Sequence, residues 1–244
     1  MSCLFLICLD IIAKSGDDRA MRFSGGKGVC FAQIINLIPP HKRYIETHLG
    51  GGAVMRNKRP ALEQIGIDID PAVINKWKSD KTRCCTLINE DALLVLKRIK
   101  LDQETVIYVD PPYLPTTRRR SRVYKFDYTV DEHVSMLKFL GSLECKVIIS
   151  GYYSEIYTDL LRGWNTYSYK AQSHSGIRDE YLWYNFVKPE TLHDTRYIGS
   201  NFREREVVRR RGERLKNRIL QLSITEQTMI HEWLGKQLDG KVLL

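Results

Sequence analysis

The sequence predicts an α/β fold with a mostly parallel sheet covered by helices, and two observations carry that expectation. From Tyr44 onward, short runs rich in β-branched and aromatic residues alternate with amphipathic segments of helical period, the order that winds a sheet and its helices together. The first such run is followed by Gly50, Gly51 and Gly52 and then by the start of a helix. Glycines after the first strand of a doubly wound sheet let the backbone approach a ligand closely.

In chain order, CFAQIINLI reads as a first helix and RYIET as the first strand. QIGIDI is followed by the helical AVINKWKS, and CTLIN by ALLVLKRI. TVIYV precedes DEHVSMLKFLGSL, and KVIIS precedes YSEIYTDLL. NTYSYK and YLWYNFV complete seven strands. Thr129 followed three residues later by Glu132 has the spacing of a capping box, which fixes one helix start.

After Val187 the texture changes. Between Arg203 and Arg218 there are eight basic residues against three acidic ones, and SITEQTMIHEWLGKQL then restores helical period behind a Thr225 cap. Residues 189–244 read as a basic helical appendage, too short to bury a core alone. Residues 21–188 form the main domain. Residues 1–20 are expected to be a dispensable extension, because a second methionine, Met21, stands where the organised sequence begins. The opening MSCLFLICLDIIA lacks a basic leader, is interrupted by Asp10 and is too short to span a bilayer.

The chain has 244 residues, 43% of them hydrophobic, and a formal charge of +9. That length supports a full core without disulfides, and that charge points to a polyanionic partner, nucleic acid first. Cys3, Cys8, Cys30, Cys84, Cys85 and Cys145 show neither CxxC spacing nor paired histidines. They indicate no zinc or redox site and read as reduced thiols of a cytoplasmic protein.

The most informative stretch is Asp110-Pro111-Pro112-Tyr113, at the end of TVIYV. By average composition such a tetrapeptide arises by chance in a chain of this length on the order of once in a thousand. Its chemistry suits transfer to an exocyclic amino group, whose lone pair is delocalised into the ring. The Asp110 carboxylate and the Pro111 carbonyl can accept the two amino hydrogens and draw the nitrogen toward sp3 geometry. The prolines fix φ and remove competing N–H groups. Tyr113 offers a π face to a base that has left its stack. An ordinary proline turn explains the prolines but not the flanking Asp and Tyr. Asp68 and Asp91 end the second and third strands, and although each also suits a helix N-cap, together they outline a nucleoside pocket. The glycines do not match GxGxxG, which disfavours a dinucleotide.

At these residues the sequence resembles the Dam-like DNA adenine-N6 methyltransferases, the small phage-type members above all, over most of its length from Met21. The resemblance implies a Rossmann-like seven-stranded fold that binds S-adenosylmethionine, with the methylation motif at Asp110, Pro111, Pro112 and Tyr113. Gly25, Gly26, Lys27, Glu46, Gly50, Gly51 and Gly52 would lie by the cofactor, with Asp68 on its ribose and Asp91 on its adenine amino group. Ser24 replaces the family's Pro before GGK, and Thr47 and His48 replace its Pro-Phe, which removes an apolar wall and points to weaker cofactor affinity. His48 reads as a passive pocket residue, because the methylated nitrogen sheds its proton unaided.

A target-reading domain has no room between Asp68 and Asp110, so DNA contacts are sought elsewhere. Arg118, Arg119, Arg120, Arg122 and Lys125 follow the motif with no acidic residue among them, and Arg209, Arg210 and Arg211 sit in the appendage. Both runs suit phosphates, and both suit a solvated basic surface. Tyr152 and Tyr153 end another strand and are placed in the target pocket or the core. Tyr181, Trp183 and Tyr184 read as strand packing. The expected partner is duplex DNA with a flipped adenine, without membrane or metal. Adenine in RNA, or a nucleic-acid-binding relative that has lost catalysis, are the alternatives.

Overall fold

Seven strands pair into one sheet: β1 (Arg43–Thr47), β2 (Glu63–Asp68), β3 (Thr86–Asn89), β4 (Thr105–Val109), β5 (Lys146–Gly151), β6 (Asn165–Ser173) and β7 (Gly176–Tyr184). The computed structural model describes residues 27, 28, 30–80, 85–118, 125–173 and 176–238. The expected extension 1–20, and the candidates Gly25, Gly26, Arg119, Arg120 and Arg122, lie outside these residues. The spatial order is β3-β2-β1-β4-β5-β7-β6. β1 to β5 are parallel, and β7 is antiparallel to both β5 and β6. Only two residues separate β6 from β7, too few for the crossover that a parallel pair requires.

Among the described residues eight α-helices follow in chain order: α1 (Phe31–Ile35), α2 (Ala53–Asn57), α3 (Pro71–Lys78), α4 (Ala92–Arg98), α5 (Val130–Gly141), α6 (Glu155–Leu160), α7 (Phe202–Leu220) and α8 (Ile224–Leu238). The period of two along each strand sorts side chains between two buried layers. Tyr44, Tyr108, Ile148 and Leu182 pack with Ile34, Ile35, Val54 and Trp77 of α1 to α3. Their neighbours Ile45, Ile107, Val109, Ile149 and Trp183 pack with Val95, Leu137, Leu140 and Tyr157 of α4 to α6. Each such side chain, fully buried, contributes about 1.5–3 kcal/mol.

Local chemistry sets the helix starts. Asp70 accepts from the Ala72 N–H at 3.0 Å with Pro71 in the first turn of α3, and the Thr129–Glu132 capping box opens α5 as expected. The cap of α8 is Ser223, not Thr225. Ser223 N–H donates to Glu226 Oε2 at 2.8 Å, and Glu226 N–H returns to Ser223 Oγ at 3.4 Å. That capping-box pair places Thr225 inside the helix.

Residues 193–197 pack against the elements before and after β1. His193 stacks on His41 with ring centroids 3.9 Å apart, and Asp194, only 2% exposed, accepts from the Arg59 N–H at 2.7 Å. The Tyr197 ring meets Phe31 edge-on at 5.3 Å. This stretch is stitched to the sheet domain, whereas α7 and α8 bury no residue. No helix of the described residues is long and apolar enough to cross a membrane, and no cluster of three or more His, Cys, Asp or Glu among them could hold a metal ion. Cys30 and Cys145 are buried free thiols.

Candidate active site

Register brings the chemistry to one rim. Thr47 of β1 lies opposite Val109 of β4, Asp68 of β2 opposite Asn89 of β3, and Val109 opposite Ile149 of β5. His48, Asp68, Asp91 and Asp110 therefore emerge side by side at the carboxyl ends of adjacent strands. Chain order reverses at β1 and β4, the switch point at which open α/β sheets bind ligands.

The glycine bend between β1 and α2 is tightly specified. Gly50 and Gly52 have φ of +46° and +57°, and His48 takes +55° without being glycine, a conformation that costs an L side chain roughly 1–2 kcal/mol. Asp68 holds the bend from β2: its Oδ2 accepts from the Gly50 N–H at 2.8 Å and its Oδ1 from the Asp70 N–H at 2.9 Å. Burial raises its pKa against those bonds. From below, Trp77 Nε1 donates to the Gly50 carbonyl at 2.9 Å, and a Cβ on Gly52 would come within 2.1 Å of the Trp77 ring. Gly52→Ala is accordingly expected to destabilise the fold by about 3 kcal/mol, from overpacking and positive φ together. A urea titration checks this, and an unchanged midpoint would overturn the packing of Trp77 under the bend.

Glu46, also on β1, is 3% exposed and accepts from Tyr44 Oη at 3.0 Å and the Met55 N–H at 2.9 Å. Burial pushes its carboxyl up to about 8. It ties α2 to β1. Asp91 caps α4, accepting from the Leu94 N–H at 3.0 Å. Thr47 Oγ1 and His48 Nδ1 share a 3.0 Å hydrogen bond, and His48 Nε2 and Tyr128 Oη share another of 3.0 Å. Burial lowers the His48 imidazole to about 4. Burial thus favours its neutral form, and both ring nitrogens have partners.

Asp110 stands at the centre of a polar cluster. Its side chain is 19% exposed, and its Oδ1 accepts from Ser150 Oγ at 2.5 Å and faces Lys27 Nζ at 2.9 Å. Lys27, 5% exposed, also lies 3.5 Å from Glu180 Oε2 and donates to Tyr113 Oη. Burial alone would lower its pKa, but the carboxylates of Asp110 and Glu180 outweigh that, and the net direction is up. Glu180 is further held by Tyr169 Oη at 2.9 Å. Pro111, Pro112 and Tyr113 are buried. Tyr113 meets Tyr152 edge-on at 4.6 Å, and the Arg178 guanidinium lies 4.9 Å from the Tyr152 ring. Tyr153 is 56% exposed beside them, while Trp183 and Tyr184 are buried in the sheet.

The basic candidates divide. Arg118 turns inward: its side chain is 4% exposed, and its Nη2 donates to both oxygens of Asp127 at 2.8 and 2.9 Å. This pair anchors the chain after the motif. Lys125 is 66% exposed and pairs with Asp70 at 3.1 Å. Arg209, Arg210 and Arg211 are exposed on α7, where Glu206 pairs with the first two. The sequence reading missed Glu180, Tyr169 and Ser150. Period two carried a signal for the first of these, since Glu180 shares a strand face with the buried Leu182 and Tyr184.

No family model and no curated protein matches the sequence. Among solved structures, a dimethyladenosine transferase from Plasmodium falciparum is similar at 12% identity and a TM-score of 0.42, over 67% of this chain and 62% of that one. Magnesium protoporphyrin IX methyltransferase from Synechocystis, with bound SAM, is similar at 12% identity and 0.42, over 63% and 73%. An rRNA methylase from Streptococcus thermophilus is similar at 9% identity and 0.40, over 63% and 93%.

Proposed function

We propose that the chain is an S-adenosylmethionine-dependent methyltransferase acting on N6 of adenine in DNA. The observation that carries this reading is the register of β1 against β4, which sets the Asp110 carboxylate one strand from the glycine bend, at the switch point of the sheet. The donor set fits the cofactor. Asp68 and Asp91, at the ends of adjacent strands, suit ribose hydroxyls and an adenine amino group, and a rim with more carboxylates than ammonium groups suits a cationic sulfonium. When bound, S-adenosylmethionine supplies an electrophilic methyl group.

The protein's own residues do the rest. Asp110 and the Pro111 carbonyl accept the target amino hydrogens and orient its lone pair. Ser150 and Tyr108 fix the Asp110 carboxylate, since Tyr108 Oη lies 3.2 Å from Ser150 Oγ. Extrusion of the base costs a few kcal/mol of stacking and pairing, which Tyr113, Tyr152 and phosphate contacts from Lys125 and α7 offset. Expression in a methylation-free host, followed by methylation-aware sequencing of its DNA, is expected to show N6-methyladenine at a defined site, with S-adenosylmethionine binding seen by calorimetry. Methylated RNA with unmodified DNA would reassign the substrate. An absence of both modification and binding would leave a catalytically inactive relative.

A further inference from the structure

Asp110 Oδ1 is already occupied. Ser150 Oγ and the Lys27 ammonium both sit on this oxygen of the carboxylate proposed to receive the amino group. Lys27 is shared: Asp110 lies 2.9 Å from Nζ on one side and Glu180 3.5 Å on the other. Glu180 is a buried carboxylate on the strand face that carries the half-buried Arg178 on one side and the buried Leu182 and Tyr184 on the other, and its burial costs the desolvation of a charge. Its cross-strand partner is Tyr169, whose hydroxyl donates to the same Oε2 that faces Lys27. A buried acid held in place by a tyrosine and aimed at a neighbouring ammonium is a built feature, and β-sheet packing does not call for it.

We propose that Glu180 is a positioning residue for the transfer site, giving the Lys27 ammonium a second seat so that Asp110 is released to receive the target amino group. This rests on the function proposed above. The movement is small, because the two seats flank a single nitrogen. It is electrostatically neutral, because the ammonium leaves one carboxylate for another inside the same buried cluster. Without Glu180 the ammonium loses this second carboxylate, and entry of the amino group must then compete with the Lys27–Asp110 ion pair.

The test uses the full chain and a duplex bearing the site found by sequencing. Glu180→Gln is expected to raise both KM for the duplex and the dissociation constant of the duplex from cofactor-free protein about tenfold. The melting temperature is expected to stay within about 3 °C. On a Lys27→Met background the same substitution is expected to change duplex affinity less than about twofold, because there is no ammonium left to move. A Glu180→Gln protein equal to wild type overturns the inference, as does an undiminished tenfold cost on the Lys27→Met background. Should Glu180→Gln fail to fold, Glu180→Asp, which keeps the charge on a shorter stem, is expected to raise the duplex dissociation constant about threefold, and no rise overturns the inference. A wild-type protein that methylates no DNA overturns the function and this inference together, whereas an active wild type with an indifferent Glu180 overturns the inference alone.

Discussion

Asp110→Ala is expected to lower methyl transfer about a thousandfold while leaving the S-adenosylmethionine dissociation constant within about threefold. Asp110 is the only carboxyl of the DPPY motif, and alanine offers no acceptor in its place. The fold should survive the change. Lys27, which loses its 2.9 Å partner, keeps Glu180 at 3.5 Å as a counter-charge, so the substitution does not strand a buried ammonium. Ser150 Oγ keeps its alternative acceptor, the Val109 carbonyl at 3.4 Å. Asp110→Asn, which retains one acceptor oxygen in the same shape, is expected to fall between the two. Single-turnover transfer and calorimetric binding, measured on the same preparations, separate chemistry from cofactor affinity. Transfer at the wild-type rate by Asp110→Ala would end the proposed mechanism, and loss of cofactor binding would move Asp110 into the cofactor site.

What the sequence disclosed, and what it did not, follows from the range of the forces involved. The strands from RYIET to YLWYNFV were legible because burial on a pleated surface writes a period of two into neighbouring residues, and DPPY was legible because four contiguous residues carry its chemistry. The reversal of β7 was open to inference from the two-residue gap after β6. The fate of Arg118 was not. A run of basic residues reads as a solvated surface until the fold brings Asp127 against one of them, and that pairing depends on a loop path. Glu180 and Lys27, 153 positions apart, meet only because β7 inserts beside β5. Likewise, only the positions of Asp68 and Asp70 relative to the glycine bend decide which is the cap of α3 and which the clasp of the bend.

Acidification is expected to unfold the protein in a window set by its buried histidines. Burial is the largest cause in each case, holding His48, His133 and His193 down to about 4 and His41 to about 2. Their contacts show why the neutral form is kept. His41 lies against His193 and near Lys58 and Lys146, and His133, wholly buried, shares a 3.0 Å hydrogen bond with Tyr157 Oη and feels the Arg118 cation. The folded pKa values are depressed below the unfolded value near 6.5, so as pH falls below that value the unfolded chain binds protons that the folded chain refuses. The stability contributed by the neutral histidines is therefore full above about pH 6.5 and is lost progressively toward pH 4. Glu46 acts in the opposite sense. Its folded pKa of about 8 lies above the unfolded value, so the folded chain binds one proton more between those limits and gains stability on acidification. One carboxyl opposes four imidazoles, leaving a net uptake of roughly three protons on unfolding near pH 5, or about 4 kcal/mol lost per pH unit. For a domain with 5–15 kcal/mol in hand that is most of its stability within two to three units. Urea midpoints at several pH values between 7 and 4.5 measure the slope, and His133→Gln, which removes one refusing imidazole, should flatten it by about one proton. Midpoints that do not move between pH 7 and 5 would mean that these histidines titrate normally, and that the packing of His41 on His193 and of His133 on Tyr157 does not persist in solution.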